Sequence, residues 1–309
     1  MEVEKVIVVR DKTRLEQLIE RYNTKAQAKF YLERTGGDFA MYEAEHQQFY
    51  QALGEVTTAL DPLLKHKVVE RQYLPSYLFG ETDAVLVLGQ DGLVANAAKY
   101  VGALPLIGVN PNPAAYDGVL LPYHPAQVSG VVQAVMQQQH TLRRITMAQA
   151  VLHDGQRLLA FNDLFVGAAT HVSARYSITY REQTERQSSS GVLVATGAGS
   201  TGWLSSVFNM AHNVLAPGRQ NAAPFRLAWE DPKLAFVVRE PFRSRVTQTE
   251  LGFGTIDAHH TLKLVSHMPA GGVIFSDGIE ADFLPFHAGS TVEIGLAPEK
   301  AHLVVPSKG

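Results

Sequence analysis

The sequence predicts an α/β N-terminal domain built on a parallel, doubly wound sheet, then a β-rich C-terminal domain of antiparallel sandwich or layered sheets. Three observations predict it. Short, wholly apolar runs alternate with helical patterns in the first part of the chain. Further on, the apolar period changes from that of a helix to two. A turn dipeptide, Asp154-Gly155, stands near the start of that second regime.

KVIVV (5–9) is the first buried strand. A helix-rich stretch follows from residue 13 to about 64, where Leu15, Leu18, Ile19 and Tyr22 recur at helical spacing, as do Tyr42, His46, Phe49, Tyr50 and Leu53. AVLVL (84–88) is the second buried strand, followed by a helix from about Leu93 to Tyr100, and PLIGV (105–109) is the third. HPAQVSGVVQAVMQQQ (124–139) adds a helix. The segment 143–167 reads as two strands joined at Asp154-Gly155. Period-two alternation marks strands at 173–181, 234–238, 261–265, 272–276 and 291–295. REQTERQSSSG (181–191) is the one low-complexity piece and reads as a polar, mobile loop. The domain boundary is expected near Tyr123, giving domains 1–123 and 124–309, with the last residues packing back on the first.

Composition narrows the function classes. The chain has 309 residues, 46% hydrophobic and 18% charged, as a water-soluble globular protein does. A net charge of −3 gives no broad basic field for nucleic acid or an anionic membrane. The chain has no cysteine, which excludes disulfides, thiolate metal sites and a cysteine nucleophile. The apolar run Val6 to Val9 is too short for a signal sequence, and no segment reaches the roughly 20 apolar residues that span a bilayer. A cytoplasmic protein is expected.

Chemistry is expected first at GQDG (89–92), because ligands of parallel sheets bind at the carboxyl ends of the strands. Gly89 and Gly92 let backbone N–H groups approach an anion, and the following helix adds the positive end of its dipole. Asp91 either takes a proton from a hydroxyl or caps the helix; spacing alone leaves both open. Gln90 brings a Cβ into the loop, so its backbone is expected at negative φ.

Two further stretches qualify. In GVLVATGAGSTGW (191–203) a strand enters a turn of small residues that opens a helix. Thr196, Ser200 and Thr201 offer hydroxyls there, and the Trp203 indole offers a face for a purine. A Ser/Thr helix cap is the competing reading, and the lysine of a P-loop is absent. In FNDLFVG (161–167), Asn162 and Asp163 interrupt an apolar strand, where polar groups need partners. They suit a ribose diol or an exocyclic amine, or else a solvated strand end. The twelve histidines show no metal-ligand spacing, and no GxSxG elbow is present.

Taken in order, GQDG (89–92), GVN (108–110), NDLFVG (162–167) and TGAGSTGW (196–203) resemble the NAD kinase family, which carries a GGDG loop, a GVN strand end, an Asn-acidic pair and a TGSTAY-like segment. The resemblance extends over most of the chain. The N-terminal KVIVVRDKTRLEQLIERYN, NDLFVGAATHVSARYSI and SSSGVLVATGAGSTGW look most like the mitochondrial-type branch. It implies an active site between an α/β and a β-rich domain, phosphorylation of the adenosine-ribose 2′-hydroxyl of NAD, ATP or another triphosphate with Mg2+, and a homodimer or homotetramer. Carried over residue by residue, Asp91 is the base and a ribose ligand, and Gly89, Gln90, Gly92 and Asn110 serve the phosphates. Asn162 and Asp163 then contact the ribose and adenine region, and Thr196, Ser200, Thr201 and Trp203 the NAD pocket. The chain departs from the family pattern at Gln90, Leu93 and Ser190, and in PNPAAYDGVL (111–120), which follows GVN. The change in the phosphate loop keeps open a non-catalytic nucleotide-binding protein of the same fold, and a related kinase acting on a sugar or lipid hydroxyl is the third reading.

Overall fold

The computed structural model describes residues 3–217 and 225–306 and divides the chain into two units, 144–301 and the remainder. The first unit begins with β1 (Lys5–Arg10), α1 (Arg14–Tyr22), α2 (Lys25–Arg34), α3 (Phe39–Leu60) and β2 (Lys65–Glu70). It continues with β3 (Asp83–Leu88), α4 (Asp91–Val101), β4 (Pro105–Val109) and α5 (Val128–Met136). Strands β2, β1, β3 and β4 lie side by side in that order, all parallel. β3 is buried along its whole length, as a strand covered on both faces must be. α3 lays Ala52, Val56 and Leu60, one every four residues, into a core shared with Val6, Val8, Leu86 and Ile107.

The second unit holds β5 (Thr141–Leu152), β6 (Arg157–Ala160), β7 (Asp163–Ala168), β8 (Ala174–Tyr180), β9 (Gln183–Ser189) and β10 (Val192–Ala195). Then come α6 (Trp203–Leu215), β11 (Leu234–Val238), β12 (Phe253–Ile256), β13 (Leu262–Ser266), β14 (Gly272–Ser276), β15 (Ile279–Pro285) and β16 (Thr291–Val305). One layer is a six-stranded sheet in the order β12-β11-β10-β7-β14-β15, every pair antiparallel. Its inward residues Leu164, Val166, Val192, Val194, Phe236 and Ile274 pack against Tyr176, Ile178, Leu262, Leu264, Val292 and Ile294 of β8, β13 and β16. On its other face, Leu193, Ala195 and Ala235 carry Leu204 of α6.

Three expectations are corrected. The polar segment 181–191 is not a loop: it forms β9, paired along its length with β8. Its inward residues are Glu185, Gln187 and Ser189, and a buried hydrogen-bond network satisfies them. Gln187 donates to Glu185 at 2.9 Å, Glu185 accepts from the Leu251 N–H at 3.2 Å, and Ser189 lies 2.6 Å from the Tyr176 hydroxyl. The division falls after Arg143 rather than near Tyr123, because α5 buries Val128, Val131, Val132 and Val135 in the first unit's core. The segment 143–167 makes three strands rather than two, since the chain turns again at Phe161-Asn162. β16 starts in the second unit, and from His302 the chain belongs to the first, where it runs parallel to β4.

Candidate functional site

In the first unit, the register of the sheet fixes what meets at its carboxyl edge. Arg10 of β1 sits opposite Leu88 of β3, so residues 11–14 and 89–92 leave the sheet side by side. Residues 11–14 with Gly89, Gln90 and Gly92 line a cavity of about 580 Å³, while the Asp91 side chain turns to the segment after β4. Gln90 is the residue before α4, at φ −106° and ψ 165°, so glutamine there is unstrained and its exposed side chain stands at the cavity. The N–H groups of Asp91 and Gly92 have no partner among the described residues, and a Cβ added to Gly92 would meet open space. Unpaired N–H groups at a helix start are anion acceptors in waiting.

Asp91 is the first residue of α4, yet its carboxylate does not cap that helix. It accepts from the Leu120 N–H at 2.7 Å and the Val119 N–H at 3.3 Å, drawing the segment after β4 towards the loop. Asn110 organises the same segment: its Nδ2 donates to the Tyr116 carbonyl at 3.0 Å, and its Oδ1 accepts from the Asn112 N–H at 2.9 Å. Buried and engaged at both amide atoms, Asn110 shapes the loop rather than presenting its side chain to a phosphate. Gly108 is required by close approach, since a Cβ there would lie 2.0 Å from the Leu120 carbonyl oxygen.

Sequence reasoning missed three cations on the same cavity, Lys12, Arg14 and Arg71. Each is held by a carboxylate: Lys12 by Glu20 at 2.8 Å, Arg71 by Asp11 at 3.3 Å, and Arg14 by Glu45. The signal was present for two of them. DKTR (11–14) follows a buried parallel strand, as GQDG does, and parallel strands end at one edge.

In the second unit, the remaining predicted residues converge. Thr196 donates from its hydroxyl to the Phe161 carbonyl at 2.6 Å, and its N–H donates to the Asn162 carbonyl at 2.9 Å. A Cβ on Gly199 would lie 2.0 Å from that same Asn162 oxygen, so only glycine lets the two turns touch. Ser200 is fully buried and donates to the Gly197 carbonyl at 2.7 Å. Thr196 and Ser200 therefore build the turn, while Thr201 is exposed and Trp203 half-buried. The Trp203 indole stacks on Phe165, with ring centroids 5.5 Å apart, and the Arg239 guanidinium lies 5.3 Å from it.

Asn162 and Asp163 are different. Neither side chain has a hydrogen-bond partner among the described residues, although Asp163 is only 8% exposed. Asp163 lies opposite Ala195 in the sheet, on the face that carries Phe165 and α6. Burial, and then the Asp277 carboxylate, push its carboxyl up to about 7. A buried carboxyl left without a partner, beside a turn of small residues, makes Asp163 a candidate for a ligand site.

Neither a family model nor a curated protein matches the chain. Solved structures do. A yeast NADH kinase complexed with NADH aligns with 99% of this chain and 84% of its own, at a TM-score of 0.63 and 14% identity. An NAD kinase from Archaeoglobus fulgidus in complex with ATP aligns with 97% of this chain and 93% of its own, at a TM-score of 0.55 and 14% identity. The chain has the fold of the NAD kinases. At such identity the likeness carries architecture, and the chemistry rests on the residues. Within this NAD kinase fold, GQDG ends a parallel strand of the first unit, and FND and GAGST meet in the second.

Proposed function

We propose that the chain is an NAD kinase, close to the mitochondrial-type branch with GQDG in place of GGDG. It would move the terminal phosphoryl group of ATP or another triphosphate to the 2′-hydroxyl of the adenosine ribose of NAD, forming NADP. The observation that carries this reading is the unpartnered Asn162-Asp163 pair, held against the GAGST turn on a fold shared with NAD kinases. An amide and a carboxyl side by side can grip a ribose diol and an adenine amine. Thr201 and Trp203 flank the base, while Thr196 and Ser200 keep the turn in shape.

The first unit offers groups for phosphates. Gln90 and Gly92 offer backbone N–H groups in the loop that Gly89 opens, the Gly89 N–H itself being held by the Val109 carbonyl at 3.3 Å, and Lys12, Arg14 and Arg71 supply charge as they exchange carboxylate partners for phosphate oxygens. Phosphoryl transfer asks mainly for positioning and charge neutralisation. The 2′-oxygen bonds to the terminal phosphorus, the bond to the leaving diphosphate oxygen breaks, and Asp91 takes the hydroxyl proton. Among the described residues no three carboxylates or histidines come together as metal ligands. Magnesium belongs to the reading as the counter-ion of the triphosphate, and a homodimer or homotetramer as its assembly.

Two observations favour a second reading, nucleotide binding without turnover: Asp91 is already occupied by two N–H groups, and Gln90 stands on the phosphate loop. Incubation with NAD, ATP and magnesium, with NADP measured by a coupled NADP-specific dehydrogenase, separates the two. NADP formation is expected. Calorimetric NAD binding with no NADP would establish the second reading.

A further inference from the structure

β14 and β15 are joined by two residues, Asp277 and Gly278, both at positive φ, 54° and 71°. Such a turn suits the twist of a hairpin and needs only a residue tolerant of that conformation. The Asp277 side chain does more than the turn requires. Its Oδ2 accepts from the Phe161 N–H at 3.0 Å, and its Oδ1 accepts from the N–H groups of Asn162 at 2.6 Å and Asp163 at 3.3 Å. Its own N–H donates to the Asp163 carbonyl at 3.0 Å. One carboxylate thus gathers three consecutive N–H groups at the point where the chain leaves β6 and enters β7.

We propose that Asp277 is a positioning residue of the nucleotide site: its carboxylate fixes the main chain of residues 161–163 and so aims the Asn162 amide and the Asp163 carboxyl at the ligand. That the ligand is NAD rests on the function proposed above; the positioning does not. Without the carboxylate, three N–H groups beside a buried turn would lack an acceptor, and the segment would seek other conformations. Asp277 also sets the charge of the pair. Uncharged Ala195 lies opposite Asp163 on one side, and on the other the N–H of Asp277 bonds the Asp163 carbonyl; after burial, the Asp277 carboxylate is the group that opposes ionisation of Asp163.

The test uses the full chain with Asp277→Gly, which accepts positive φ and removes the acceptors, and Asp277→Asn, which keeps one oxygen. Amide exchange of residues 161–163 and the Asp163 titration, followed by carboxyl-carbon NMR, are read without ligand. Asp277→Gly should speed exchange at all three amides at least about tenfold, and Asp277→Asn chiefly at Phe161, whose acceptor becomes a donor. Both should move the Asp163 midpoint down from about 7. The calorimetric NAD dissociation constant should rise about tenfold in the Asn variant and about a hundredfold in the Gly variant. Unchanged exchange and an unchanged midpoint in Asp277→Asn would overturn the proposal, whether or not Asp277→Gly folds. A wild-type chain that binds no NAD counts against the nucleotide, while exchange and titration still decide the role of Asp277.

Discussion

Replacing Asp163 with asparagine should stabilise the second unit most at pH 8, by less than half as much at pH 5, and hardly at all at pH 3. The Asp163 carboxyl is buried without a partner and is pushed from an ordinary 3.8 up to about 7, so at pH 8 it is ionised at a cost. Its folded-state value is raised, so between about pH 4 and pH 7 the native chain holds a proton that the unfolded chain has lost. Stability therefore falls as pH climbs through that window and levels off above it. At 1.36 kcal/mol per pH unit, the interval from 3.8 to about 7 corresponds to about 4 kcal/mol. Asparagine keeps the shape, carries no charge at either pH and breaks no hydrogen bond, so a gain of about 2–4 kcal/mol is expected at pH 8. With a urea slope of about 2 kcal/mol per molar, the midpoint rises by about 1–2 M. Both tryptophans, Trp203 and Trp229, lie in the second unit, so intrinsic fluorescence reports its unfolding. A gain of equal size at pH 5, or none at pH 8, would refute the picture of a burdened, unpaired carboxyl.

The remaining predictions concern function. Gly199→Ala puts a Cβ 2.0 Å from the Asn162 carbonyl oxygen, so it should weaken NAD binding at least about tenfold by calorimetry. Asp91→Asn keeps an acceptor for the Leu120 N–H and should lose on the order of 10²–10⁴-fold in kcat, with nucleotide affinity far less affected; wild-type turnover would leave Asp91 only its loop-holding role. Gln90→Gly clears the side chain from the phosphate cavity without any change in φ. It should raise kcat/KM for ATP about tenfold, and a loss of activity would make Gln90 a working donor.

Three of the four parallel strands β1 to β4 were legible because their apolar runs are unambiguous. β3 is apolar from Ala84 to Leu88 and is followed by Gly89, and β4 starts at a proline and is followed by an asparagine. β2 escaped notice because KHKVVE buries only Val69 and carries charge elsewhere. β9 was misread for a subtler reason: its alternation is present, but in Glu185, Gln187 and Ser189, and a hydropathy pattern cannot see burial achieved by hydrogen bonding. The same limit applies at the site. Asn162 and Asp163 stood out as polar residues in an apolar strand, and Gly199 as a turn glycine. That Thr196 spends its hydroxyl on the Phe161 carbonyl depends on a contact across 35 residues, and the bonds of Asn110 and Ser200 to backbone groups six and three residues away lie in turns that hydropathy does not describe. Asp277, over a hundred residues from the pair it holds, had no local signal at all.

The central claim is tested most directly by a label. The chain is mixed with NAD, magnesium and ATP labelled with ³²P in its terminal phosphate, the dinucleotides are separated, and the position of the label is found by enzymatic digestion. The account predicts label in NADP as a monoester on the adenosine 2′-oxygen, forming in step with ADP. ADP that forms at the same rate without NAD, or a dinucleotide that stays unlabelled while NAD binds, would contradict it.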